Sequence, residues 1–96
     1  MFTMDIQTLI NVLSEIYDNK ENYDIMKFHA AVNQHRIIIR SYINIDLYCE
    51  FQLEMEALGY EGMFSTNGEY NVTVLNNCIV MLKKVIDTLM EIEASS

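Results

Sequence analysis

The stretch MKFHAAVNQHRIIIRSYI, residues 26–43, decides the fold class that the sequence predicts. Every second residue of its first half is apolar, which is the period of a β-strand: Met26, Phe28, Ala30 and Val32. Its second half is dense in β-branched residues, which favour strands. With a two-residue turn at 33–34, Phe28 faces Ile39 on an apolar face, and the opposite face is polar and basic. The stretch therefore predicts a β-hairpin. A helix through residues 26–34 is the alternative, because Asn-Gln is not the preferred turn pair.

Three other segments have the apolar spacing of amphipathic helices. The first covers residues 3–17, with Thr3 as its N-cap and Asp5 in its first turn. The second covers residues 46–58 and is expected to stop at Gly59. The third is capped by Asn76-Asn77 and runs to about residue 93.

A second hairpin is predicted between the last two helices. Asn67-Gly68 is the strongest short turn signal in the chain, and residues 63–65 and 70–75 would be the flanking strands. The order of elements is then helix, hairpin, helix, hairpin, helix. We therefore expect an α+β fold of four antiparallel strands packed with three helices. No linker divides the chain, so residues 1–96 are expected to form a single compact domain.

The charge balance narrows the class of partner. The chain has 14 acidic residues against six basic ones, a net charge of −8. That balance disfavours direct binding to nucleic acid or to anionic membranes, whose phosphates would repel the protein. The first residues have no basic segment of a signal peptide, and no apolar run could span a membrane. We expect a cytoplasmic protein, in the host cytoplasm if it is phage-encoded, with its two cysteines as buried free thiols.

The residue types that carry chemistry form no recognised motif. His29 and His35 point to opposite faces of the predicted hairpin, and Cys49 and Cys78 add no zinc-binding spacing. The three glycines have turn or cap positions, and no phosphate-binding loop can be built from them. Without a nucleophile and base in a recognisable arrangement, we predict a protein that is not an enzyme and has no metal and no cofactor.

The segment DLYCEFQLEMEALGYEG, residues 46–62, has five acids and no base. Asp46, Glu50 and Glu54 recur every four residues, a spacing at which like charges repel on a helix. A helical wheel puts them beside the core stripe. Apolar residues lie beyond these acids, on the side away from the core: Cys49, Leu53 and Ala57. This second apolar side indicates either a second contact surface or a helix that is packed on both sides within the protein.

Our leading hypothesis is a small, acidic, non-enzymatic protein that docks on a basic surface of a partner protein. By analogy of size and charge, it would be a phage or mobile-element inhibitor of a nucleic-acid-binding defence protein, acting as a nucleic-acid mimic. The acids of the segment would make the contacts, with two tyrosines as anchors. These residues are Asp46, Glu50, Glu54, Glu56, Glu61, Tyr48 and Tyr60.

Two alternatives stay open. One is a dimeric protein that sequesters an anionic small molecule or nucleotide, with Lys27, His29, Arg36 and Arg40 as ligands. The other is a structural or regulatory homodimer. A further question is whether the bases of residues 27–40 neutralise the acids inside the protein.

Overall fold

The fold is a helical bundle, and the predicted α+β arrangement with four strands is wrong. A computed structural model describes residues 4–64 and 72–95, with only the backbone at 62–64. Across these ranges it has no strand. The helices are α1 (Ile6–Asp18), α2 (Ile25–Asn33), α3 (Arg36–Tyr42), α4 (Ile45–Phe64) and α5 (Val72–Ser95), with a 3-10 turn at Lys20–Asn22.

Residues 26–43 form α2, a short turn and α3, so the first hairpin is wrong and the helical alternative for residues 26–34 is confirmed. The Asp24 side chain caps α2 by accepting a hydrogen bond from the Lys27 N–H at 2.8 Å. Ile25, Phe28 and Val32 are buried at a helical spacing. Packing of this apolar side against the other helices outweighs the strand preference of the β-branched residues, which is a weak local term.

The second predicted hairpin is also wrong where the structure describes it. Residues 63–64 continue α4, and residues 72–75 form the first turn of α5. The Asn67-Gly68 turn and the remaining parts of both strands lie outside the described residues.

Several helix boundaries differ from the predicted ones. α1 begins at Ile6, and its N-cap is Asp5 rather than Thr3, which lies outside the described residues. The Asp5 carboxylate accepts a hydrogen bond from the Thr8 N–H at 2.7 Å, which lowers the pKa of Asp5. α5 begins at Val72, before the predicted cap at Asn76-Asn77.

α4 continues through Gly59, where the sequence predicted its end. A Cβ atom at Gly59 would lie 2.8 Å from His29 Nε2, closer than van der Waals contact allows. The glycine is therefore explained by the close approach of the α2 imidazole to the α4 backbone.

All five helices contribute to one cluster of buried apolar side chains. α4 packs against α5 and α2, and α1 packs against α5. α4 also contacts α3, and on the side of α4 away from these three helices the described residues are exposed. Within residues 4–64 and 72–95, no helix is both long and apolar enough to span a lipid bilayer.

Candidate functional site

α4 is apolar on two opposite sides. Its buried side follows the predicted core stripe and consists of Leu47, Tyr48, Phe51, Met55 and Leu58. Its exposed side, which we call the outer face, consists of Ile45, Cys49, Leu53, Ala57 and Tyr60. Leu53 is 67% exposed and Tyr60 is 70% exposed. A helix of a small bundle needs only one apolar side for its core, so the fold does not account for the outer face.

The predicted acidic contacts border the outer face. At 100° per residue, Glu50, Glu54 and Glu61 lie beyond one edge of the outer face, Asp46 lies just inside that edge, and Glu56 lies just inside the opposite edge. Asp46, Glu50 and Glu56 are exposed, and the other two are partly buried. The arrangement is an apolar strip with carboxylates on both sides.

One of these five acids has a basic partner within the protein. Lys84 Nζ lies 3.3 Å from Glu50 Oε2, and both side chains are more than half exposed. An exposed pair of this kind contributes about 0–1 kcal/mol. In the described part of the chain, no other base lies within salt-bridge distance of the five acids. Glu56 instead accepts a hydrogen bond from Gln52 Nε2 at 3.1 Å. Most of the negative charge beside the outer face is therefore left to solvent or to a partner.

A groove of about 620 Å³ crosses the outer face near the end of α4. Its apolar lining is Leu53, Ala57 and Tyr60 from α4 and Val74 from α5. Glu56 and Glu61 also line it. Val74 and Lys84 are additions that sequence reasoning missed, because residues distant along the chain meet α4 only after folding.

None of the bases of residues 27–40 lies within salt-bridge distance of the five acids. Arg36 Nη1 donates a hydrogen bond to the Tyr48 hydroxyl at 3.5 Å. The Arg40 guanidinium lies 5.6 Å from the centre of the Tyr48 ring, a cation–π distance. Tyr48 itself is buried and does not lie on the outer face. Lys27 is exposed on α2.

Two of the four predicted anion ligands, His29 and Arg36, share a cavity. His29 and Arg36 line a smaller cavity of about 200 Å³ together with Glu56. The Glu56 carboxylate would repel an anion there. His35 lies in the turn before α3, and partial burial lowers its pKa.

The two cysteines differ, and the prediction that both are buried is wrong for Cys49. Both are free thiols, but Cys49 is exposed on the outer face. Cys78 is buried and donates a hydrogen bond from its thiol to the Glu54 carbonyl oxygen at 3.0 Å. Burial, with a smaller contribution from the Glu54 charge, raises the pKa of Cys78 to about 12. The Cys78 thiol is therefore protonated at neutral pH and is a poor nucleophile.

Comparison of the chain with protein-family models, with curated proteins and with solved structures finds no match. The outer face of α4 and its charges are therefore the features of the chain that point to a function.

Proposed function

We propose that this protein acts by binding, and that it docks through the outer face of α4 on a basic surface of a partner protein. The observation that carries the proposal is the apolar strip around Leu53, which is two-thirds exposed and has carboxylates on both sides. The identity of the partner as a nucleic-acid-binding defence protein stays a prediction from size and charge.

The two parts of the surface have different roles. Burial of an exposed leucine side chain contributes about 1.5–3 kcal/mol, so the apolar strip would supply affinity. The carboxylates and the net charge of −8 would attract a basic partner over a longer distance and orient it. A partner with apolar side chains among lysines and arginines matches both parts.

The same charges disfavour the homodimer alternative at this face. Two outer faces in contact would bring ten carboxylates together, five from each copy, against one lysine from each copy that is already paired with Glu50. Like charges placed across an interface oppose association. A partner of opposite charge is therefore the better match.

The test is to capture partners with immobilised protein at two salt concentrations, about 0.05 M and about 0.5 M. Interactions between exposed charges are much more strongly screened at the higher concentration. The native protein should capture its partner at low salt. The variant Leu53→Asp and the double variant Glu56→Lys with Glu61→Lys should each fail to capture that partner. Circular dichroism would verify that each variant is folded.

Two matched controls make the test specific to the outer face. Ile37→Asp changes an apolar side chain on α3 that is 74% exposed, and Glu15→Lys with Glu91→Lys changes the net charge equally from α1 and α5. Both controls should retain the partner. Equal capture by the native protein and by the outer-face variants, at both salt concentrations, would overturn the proposal.

A further inference from the structure

We infer that the element docking on the outer face of α4 is a basic amphipathic helix with two large apolar side chains seven or eight residues apart. The inference rests on the proposed function and goes beyond it by naming the shape and chemistry of the partner. The occupant would cross the outer face much as one helix of a bundle packs on another.

The side chains along the outer face have a spacing that suits a docked helix. Ile45, Cys49, Leu53 and Ala57 form a ridge of residues four apart, in which large and small side chains alternate. The small side chains of Cys49 and Ala57 leave room on either side of Leu53. These two positions are eight residues apart, or about 12 Å along the axis. Residues seven or eight apart on a partner helix share one face and have nearly the same separation.

The middle of α4 offers no backbone edge to a partner. Helical N–H and C=O groups in the middle of α4 bond to each other, so a strand docked there would find no backbone partners. A helix satisfies its own backbone groups and can pack on this face through side chains alone.

The position beside Ala57 lies in a groove between α4 and α5. Beside Ala57, the α5 side chain of Val74 forms one wall of the groove of about 620 Å³, with Tyr60 and Leu53 at its other sides. An apolar side chain that enters there can contact residues of both α4 and α5. We therefore assign the larger anchor of the partner helix to the Ala57 position.

The charge pattern of α4 favours a basic helix over a second copy of this chain. Asp46, Glu50 and Glu54 present a carboxylate on every turn, so lysines or arginines three or four residues apart on the partner would meet them. Within the described residues, α3 has the basic pair Arg36 and Arg40. It is only seven residues long and its arginines contact Tyr48, so it is too short to supply two anchors.

The experiment uses two synthetic leucine–lysine peptides of about 18 residues, the length of five helical turns. One peptide has its leucines on a single helical face, and the other has the same composition in scrambled order. Each is labelled and titrated with the full chain at about 0.05 M salt, and affinity is measured by fluorescence anisotropy. We expect the amphipathic peptide to bind at least about tenfold more tightly than the scrambled one and to gain helicity on binding.

A filled position beside Leu53 should weaken this binding. Ala57→Leu is expected to reduce affinity for the amphipathic peptide by about tenfold, which corresponds to one well-placed apolar side chain. Ala30→Leu, at an exposed alanine of α2, is the matched control and should leave the affinity unchanged.

The outcomes separate the inference from the proposed function. Equal binding of both peptides, with no effect of Ala57→Leu, would overturn the helical occupant and leave a basic partner in place. Binding of neither peptide at low salt would overturn both. If light scattering finds a dimer that Leu53→Asp dissociates, a second copy occupies the outer face and the inference is wrong.

Discussion

Replacement of Gly59 by alanine has an effect on stability that depends on His29. In the middle of a helix, alanine is more favourable than glycine by about 0.8–1.0 kcal/mol. Gly59 lies within α4, five residues before its last residue, so this gain should apply. The new methyl group, however, would lie 2.8 Å from His29 Nε2, 3.3 Å from Cε1 and 3.4 Å from Cδ2.

The size of the opposing effect follows from these distances. Ordinary contact begins at 3.4 Å, so the imidazole must move away by 0.6 Å, the difference between 3.4 and 2.8 Å. A side chain forced off its preferred rotamer costs about 0.5–1.5 kcal/mol. Gly59→Ala should therefore change the free energy of unfolding by less than about 1 kcal/mol in the native protein. In a His29→Ala background, Gly59→Ala should increase the free energy of unfolding by about 1 kcal/mol.

The assay is urea unfolding followed by circular dichroism for the native protein, both single variants and the double variant. The difference between the two effects of Gly59→Ala is the coupling energy, expected at about 0.5–1.5 kcal/mol. Equal slopes of the free energy of unfolding against urea concentration would show that all four proteins expose the same amount of surface on unfolding.

Two results would refute the reasoning in different ways. Stabilisation of the same size in both backgrounds would mean that His29 does not approach the α4 backbone. Destabilisation of the same size in both would mean that Gly59 ends a helix in a left-handed conformation, as the sequence predicted, and that α4 does not continue through it.

The remaining predictions concern the core, the thiols and the first helix cap. Phe51→Ala should lower the free energy of unfolding by about 3–5 kcal/mol, because the Phe51 side chain is only 1% exposed. Leu53→Ala should lower it by less than about 0.5 kcal/mol, because Leu53 is 67% exposed. Urea unfolding measures both effects. At about pH 8 a thiol reagent should react rapidly with the exposed Cys49 and slowly with Cys78, because Cys78 is buried and its raised pKa keeps the thiol almost entirely protonated. Both thiols should react rapidly in denaturant. Two rapidly reacting thiols in the folded protein would contradict the structure. The folded-state pKa of Asp5 is lowered from 3.8, so its carboxylate stabilises the fold above that pH and loses this effect as the pH falls through the folded-state value. The stability difference between the native protein and Asp5→Asn should therefore shrink in acid unfolding curves below about pH 3.8, and a constant difference would contradict the cap.

The failure of the hairpin prediction has a specific physical cause. Residues four apart lie on the same face of a strand and also on the same face of a helix. Phe28 and Val32 are four apart, so their burial fits both structures. Met26 and Ala30 distinguish the two, because a strand would bury them with Phe28, and both are exposed on α2. Local pattern could not choose between the two periods over so short a segment.

The error at Gly59 has a different cause. Glycine is common at helix ends, which made it a reasonable stop signal. The contact that explains it comes from His29, which is 30 residues away along the chain. No local rule identifies a glycine that is required by the approach of another helix.

The sequence by itself determined the features of α4 that depend only on helical spacing. It located the core residues Leu47, Phe51, Met55 and Leu58, the row of acids beside them and the apolar residues beyond, since one helix repeat sets all three. Tertiary structure decided the surroundings of that helix. It placed Lys84 beside Glu50 and put Val74 on the groove. It set Arg36 and Arg40 on Tyr48, and among the described residues it left the other four acids without a base within salt-bridge distance. These contacts join residues that are 8 to 34 positions apart in the sequence, so they arise only when the helices pack.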